Sequence, residues 1–295
     1  MSTQDQKFGS CALVGLPNVG KSTLTNALVG SKVSIVTRKV QTTRCRITGI
    51  MIQDNSQIVL VDTPGVFAPK TKLDQAMVGA AWDALDETDI VLHIVDAGGR
   101  DPLKQNKALL EKLPEGKAIL ILNKIDETNK DVFLKLAADF NDAHPYGATF
   151  MISALKQKGL AELRNFITEA MPKSPWGFDE DDLTDMPMRF MAAEITREKI
   201  FLQLHEELPY SIFVETETWE QFDNGNVKIG QVIVVQKDSQ KAIVLGKGGS
   251  RIKKIGESAR MDMSETFGFP VHVKLFVKVQ KNWADISENY LKMGL

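Results

Sequence analysis

The chain has 295 residues, 43% of them hydrophobic and 25% charged, with a formal net charge of −2. That is ample apolar material for two cores, while no run approaches the roughly 18 consecutive apolar residues of a membrane span. Cys11 and Cys45 are the only cysteines, and His93, His144, His205 and His272 fall in no metal-ligand spacing, so a cysteine-rich zinc site is excluded and a reducing cytoplasm is expected; MSTQDQKFGS carries no export-signal pattern.

From the amino terminus to about Met171, short β-branched apolar runs alternate with helical periodicity, the pattern of βαβ units around a mostly parallel sheet flanked by helices. The first strand, CALVG, runs into GLPNVGKS, Gly15 to Ser22, and then into a helix from near Ser22, the setting of a phosphate loop. Its glycines let N–H groups curl round an anion, the helix start adds its positive end, Lys21 reaches the terminal phosphates and Ser22 ligates magnesium. Gly15, Leu16, Pro17, Asn18, Val19, Gly20 and Thr23 complete the expected nucleotide contacts. The polar segment KVSIVTRKVQTTRCR has the length of a mobile switch, in which Thr42 or Thr43 contacts magnesium and a third phosphate; Thr43 is favoured, and the sequence does not separate the pair.

The next strand, QIVLVD, ends at Asp62-Thr63-Pro64-Gly65, where Asp62 holds magnesium through a water and the Gly65 amide senses the third phosphate. After a helix from near Lys72, the strand IVLHIVD places His93 in the core with hydrogen-bonded neighbours. A helix from near Lys104 leads to AILILN and so to Asn123-Lys124-Ile125-Asp126. The Asp126 carboxylate accepts from guanine N1–H and its 2-amino group, whereas adenine has no such amino group and presents an acceptor at N1. A buried carboxylate facing that acceptor loses enough free energy to exclude ATP, so GTP and GDP are the expected ligands. Lys124 is expected to lay its stem along the base. A helix from near Asp131, the strand ATFMIS, then Ser153-Ala154-Leu155, whose Ala154 amide is expected to donate to guanine O6, and a helix from near Gly159 complete a first domain, 1–171.

The stretch MPKSPWGFDEDDLTDMP holds three prolines and five acidic residues and reads as a linker, 172–187. The second domain, 188–295, is expected to run helix to about Glu207, strands SIFVETETWEQ and NVKIGQVIVVQ, a glycine turn with a following helix, and a last strand VHVKLFVKV. Gly225 to Lys281 holds 11 Lys or Arg against 4 Asp or Glu, a +7 segment on an otherwise acidic chain that suits a polyanion. Gly246-Lys247-Gly248-Gly249 with Arg251, Lys253 and Lys254 fits a GxxG clamp, in which small residues let an RNA backbone approach the main chain. Ile243, Leu245 and Ile252 form either a groove for unstacked bases or plain core. Trp283 and Tyr290 either stack bases or anchor a tail helix.

Val66 stands directly after Gly65, where many small GTPases carry a glutamine that orients the attacking water. Slow unaided hydrolysis is expected, resting on Lys21, Thr43, Gly65, magnesium and one further group. In this respect the motifs resemble translation-factor-like GTPases with a hydrophobic residue at that place, which implies that Asn18 helps hold a potassium ion; the alternative is that Asn18 only stabilises its loop. Over nearly its whole length the chain resembles the Era family of bacterial ribosome-assembly GTPases, on the residues GLPNVGKSTLTN, SKVSIVTRKVQTTR, DTPG, NKID, SALK, RFMAAEITREKI, ELPYS and AIVLGKGGSRIKKIGESAR. The resemblance implies a KH domain of the prokaryotic arrangement (type II) and binding to the 3′ end of 16S ribosomal RNA. It further implies action in small-subunit maturation and a peripheral contact with the cytoplasmic face of the cell membrane. The expected protein is a monomeric GTP-driven switch; a constitutive RNA-binding module and a small-molecule phosphotransferase are the rival readings.

Overall fold

The computed structural model describes residues 5–204 and 211–295; His205 and Glu207 to Tyr210 of the ELPYS motif lie outside them, as do the first four residues. The chain divides into two compact units, one holding the residues up to Ser34 and Thr43–Asp185, the other Ile35–Thr42 and Met186–Leu295.

In the first unit six strands lie in the order β2-β3-β1-β4-β5-β6: β1 (Lys7–Val14), β2 (Ile47–Gln53), β3 (Ser56–Asp62), β4 (Ile90–Asp96), β5 (Ala118–Asn123) and β6 (Ala148–Met151). All neighbours are parallel except β2 and β3. Strands β4 and β5 are buried almost throughout, as central parallel strands covered on both faces must be. The edge strand β2 was not among the expected strands. It is created by a two-residue reversal at Asp54-Asn55, with Asp54 at φ 53°, and both its faces carry apolar residues, so period-two alternation does not mark it.

Helices α1 (Lys21–Val29), α2 (Lys72–Glu87), α5 (Lys130–Ala143) and α6 (Leu160–Ala170) flank the sheet. Thr71 and Asp74 start α2 with a reciprocal capping box. The helix expected from Lys104 is two single turns, α3 (Pro102–Gln105) and α4 (Lys107–Leu110), separated at Asn106. Asn106 is buried there because its amide donates to Pro102 O and its Oδ1 accepts from His93 Nε2 at 3.0 Å, while His93 Nδ1 meets the Tyr146 hydroxyl at 2.6 Å.

Burial holds His93 down at a pKa of about 4, against 6.5 in the unfolded chain. The unfolded chain therefore takes up this proton first, so the group contributes nothing above pH 6.5 and destabilises increasingly as pH falls from 6.5 towards 4. The loss approaches about 3 kcal/mol. Urea unfolding of the parent should show this slope and His93→Gln should lack it; equal slopes in the two proteins would refute the assignment.

The stretch 172–187 has no helix or extended strand of its own. Up to Asp185 it is tied along the first unit: Phe8 N–H donates to Pro172 O, Gln57 exchanges hydrogen bonds with Gly177 and Phe178, and Ile50 N–H donates to Leu183 O.

The second unit runs α7 (Met188–Gln203), β7 (Phe213–Gln221), β8 (Val227–Val235), α8 (Asp238–Leu245), α9 (Ser250–Phe267), β9 (Val271–Val279) and α10 (Ser287–Lys292), with sheet order β7-β8-β9. β7 and β8 are antiparallel and β8 and β9 parallel, so the chain must cross over between the last two. It does so through α8, the glycine turn and α9. Helix α8 was not foreseen, and the glycine turn lies between two helices instead of directly after a strand. Ile200, Ile212, Ile233, Val244 and Ile255 form the core. Trp283 is fully buried, donates to Ser211 O and packs on Phe213, and the Tyr290 hydroxyl donates to Ala284 O. Trp283 therefore anchors the tail and has no face left for a base, while half-buried Tyr290 is tied to the tail through its hydroxyl.

Ile35–Thr42, the middle of the expected switch, belongs with this second unit. Val36 N–H donates to Glu198 Oε1 at 2.9 Å, the Arg197 guanidinium donates to Thr42 O and to Glu194, and Lys39 donates to Leu204 O. Arg197 and Glu198 are only 2% and 4% exposed. Charges so deeply buried are costly unless paired. Here the pairing partners include the main chain of the switch segment.

Candidate functional site

Each expected nucleotide motif follows a strand of the first unit. After β1, Gly20 sits at φ 102°, and a Cβ there would come within 2.3 Å of Asn123 Nδ2, so only glycine fits this close approach. Helix α1 begins directly behind it with no side-chain cap and no acid in its first turn, leaving its first N–H groups for an anion. Lys21 is buried and donates to Gly15 O at 3.2 Å and Leu16 O at 2.9 Å. Burial lowers its pKa to about 8, with Asp62 opposing.

Ser22, Thr43 and Asp62, brought from three separate segments, meet. Ser22 Oγ donates to Asp62 Oδ2 at 2.6 Å and lies 2.8 Å from Thr43 Oγ1, which is itself 3.2 Å from Asp62 Oδ2. Ser34, a residue of the switch segment that was given no role there, donates to the same oxygen at 2.7 Å, held in place by Asn26, whose Oδ1 accepts from Val33 and Ser34 N–H. Burial raises the Asp62 pKa, opposed first by its hydrogen bonds to Ser22 and Ser34. Asp62 Oδ1 is buried with no hydrogen-bond partner among the described residues. A buried carboxylate oxygen without a partner beside two hydroxyls is a hard-oxygen donor set that fits magnesium. Thr42 is elsewhere: its hydroxyl meets Thr37 and Lys39 O. Of the pair, only Thr43 joins this cluster.

Thr63 turns its hydroxyl to Leu13 O at 2.8 Å, a brace between β3 and β1, so its side chain is not directed to a ligand. Gly65 lies against Pro17, and buried Val66 donates its N–H to Gly15 O at 3.0 Å. Asn18 is exposed at φ 64°.

On the base side, Asn123 Nδ2 donates to Val19 O at 2.8 Å, and its Oδ1 accepts from Ala154 N–H at 3.0 Å. The Ala154 amide, expected to donate to guanine O6, here braces Asn123. Lys124, at φ 64°, pairs with Asp96 at 2.6 Å, an acid that was not expected at the site. Asp126 is exposed, and a hydrogen bond from Ser153 holds its carboxyl below the usual range. Leu155 is 71% exposed.

In the second unit Gly246, Gly248 and Gly249 have φ of 71°, 59° and 77°, so the GKGG turn requires its glycines. Lys247, Gly248, Lys253 and Lys254 are exposed, and Arg251 donates to Ile243 O at 2.6 Å, which makes it a brace of the turn. Ile243 is 46% exposed and Leu245 and Ile252 are half-buried, so these three side chains are open to a ligand.

The family model described as 50S ribosome-binding GTPase matches residues 10–124, and that of the KH domain matches residues 207–284. The chain is 52% identical over 292 residues to GTPase Era of Brucella suis biovar 1 (strain 1330), covering 98% of this chain and 93% of that one. It is 46% identical over 310 residues to GTPase Era of Maricaulis maris (strain MCS10), covering 100% and 99%. Among solved structures, an Aquifex aeolicus Era variant bound to GDP and AlF4− matches with a TM-score of 0.92 at 36% identity, covering 98% and 99% of the two chains. Era in complex with MgGDPNP and nucleotides 1506–1542 of 16S ribosomal RNA matches with a TM-score of 0.89 at 37% identity over the same shares. With a phosphate-loop unit, a KH unit and about half its residues in common with such relatives over nearly their full lengths, the chain belongs to the Era family of GTPases.

Proposed function

We propose that the chain is a GTP-hydrolysing switch that binds the 3′ region of 16S ribosomal RNA through its KH unit and assists maturation of the small ribosomal subunit. The relative whose complex holds that RNA supports the substrate, and the open GKGG turn in a +7 segment supports the surface. In this reading Ser22, Thr43 and Asp62 hold magnesium, which when bound neutralises charge on the phosphate oxygens. Lys21 offsets phosphate charge, the Gly65 amide faces the third phosphate, Asp126 selects guanine, and Asn18 holds potassium. Val66 has no group to orient water, so unaided turnover is expected to be slow. Domains 1–171 and 188–295 with linker 172–187 belong to the same reading, as do a cytoplasmic monomer and a peripheral membrane contact, supported by the family resemblance. Among the described residues no helix is long and apolar enough to cross a membrane.

One observation carries the switch: Ser34 and Thr43 both bond Asp62, while the chain between them, Ile35–Thr42, is hydrogen-bonded to Arg197, Glu198 and Leu204 of the KH unit's first helix and its end. A ligand that reorganises the hydroxyls around Asp62 pulls on both ends of a segment the second unit holds. RNA affinity of the full chain is therefore expected to differ at least fivefold between GDP and a non-hydrolysable GTP analogue, measured with nucleotides 1506–1542, and GTP hydrolysis to run faster in potassium than in sodium. Equal RNA affinities would leave a constitutive RNA-binding module; equal rates in the two salts would remove the role given to Asn18.

A further inference from the structure

The helices α7, α8 and α9 cover one face of the second unit's sheet; the opposite face is only partly covered. At the Phe213 end Trp283 packs on it, ring centres 5.8 Å apart. Beyond that, β9 is exposed at every second residue, His272, Lys274, Phe276 and Lys278. Phe276 is 51% exposed, with Lys274 Nζ 5.1 Å from its ring centre. Two acids of β7 are already neutralised: Glu215, in register with Val232 and Phe276, pairs with Lys292 at 3.1 Å, and Glu220, in register with Lys228 and His272, pairs with Lys228 at 2.9 Å, while Glu217 sits out of register in the bulge between Thr216 and Thr218. Lys274 and Lys278 have no carboxylate within 4 Å among the described residues. The strip is thus an open ring between two lysines that are about 13 Å apart along an extended strand.

We propose that this face is a second contact for single-stranded RNA, with a base stacked on Phe276 and phosphates on Lys274 and Lys278. Aromatic platforms flanked by cations bind single strands in this way, independently of base identity. A single open ring between unpaired lysines offers little apolar area for a second copy of the chain and repels its like charge. The inference rests on the RNA reading above and extends it: a GxxG loop clamps roughly four nucleotides, whereas the RNA in the relative's complex spans nucleotides 1506–1542. Strand β9 is an edge of the sheet, so RNA leaving the GKGG side can pass round one strand to reach this face.

The test uses the full chain with two probes, the 1506–1542 RNA and a tetranucleotide matched to the clamp. Phe276→Ala is expected to weaken the long RNA roughly tenfold and leave the tetranucleotide unchanged, while Phe276→Trp keeps full affinity. The double variant Lys274→Gln, Lys278→Gln should flatten the salt dependence for the long RNA by about 1.4 in log–log slope. Unchanged binding of the long RNA by Phe276→Ala overturns the proposal. So does an equal loss for both probes together with a lower melting temperature, which would mark a folding effect, or a loss of self-association with RNA binding intact, which would mark a dimer face. If the parent chain holds neither probe, the RNA reading itself falls, and this inference with it.

Discussion

Asp126→Asn is expected to weaken GDP binding by roughly 10²- to 10⁴-fold and to raise affinity for xanthosine diphosphate. In the proposed reading the carboxylate would accept two hydrogen bonds from guanine, each of about 1.5–3 kcal/mol when the acceptor is charged. An asparagine presents one donor where both partners on guanine are donors, so one bond is lost and one contact becomes repulsive. Xanthine carries a carbonyl in place of the 2-amino group, and the asparagine amide can donate to it. Because Asp126 is exposed in a short turn, Ile125–Glu127, the substitution should leave the fold intact, which circular dichroism can check. Equilibrium binding of GDP, XDP and ADP to both proteins measures the effect. An unchanged preference would remove Asp126 as the selector and with it the guanine assignment.

Lys21→Ala should lower GTP turnover by about 10²- to 10³-fold, since in the proposed reading it deletes a preorganised cation at the phosphates, without destabilising the nucleotide-free chain. The second half follows from the sign of the pKa shift. Lys21 titrates at about 8 in the folded chain against 10.5 when exposed, so between those values the unfolded chain binds more protons. Stability of the nucleotide-free parent therefore rises with pH over that window, by about 3 kcal/mol from this group, and the full penalty is present below pH 8. Nucleotide affinity runs the opposite way: it is level below pH 8 and declines up to tenfold per pH unit above it, because the phosphates need the protonated amine. The variant should show neither slope. Titration of GDP affinity from pH 7 to 10 in parent and variant separates the cases, and parallel curves would refute the role of Lys21 as the titrating cation.

Much of the site could be read from the chain alone because its parts are local. A glycine-rich turn between a strand and a helix, an acid at a strand end and a GKGG turn before a basic helix each involve a few consecutive residues. Their geometry follows from backbone freedom and periodicity there. The same logic failed where the local signal was mixed: β2 has apolar residues on both faces, and α8 is a short helix joined to its neighbour by the very glycines that suggested a plain turn.

What the sequence by itself determined is the order of the motifs in a GTPase unit and a basic segment in the KH unit that follows. Tertiary structure alone decided that Ser34 shares Asp62 with Ser22 and Thr43, that Thr43 and not Thr42 joins them, that the Ala154 amide is taken by Asn123, and that Arg197 and Glu198 hold the switch segment. Those contacts join residues up to 162 positions apart in the chain. Which hydroxyl, amide or guanidinium meets a given carboxylate or carbonyl over such separations depends on how the strands stack and the helices cover them. No short-range pattern encodes that.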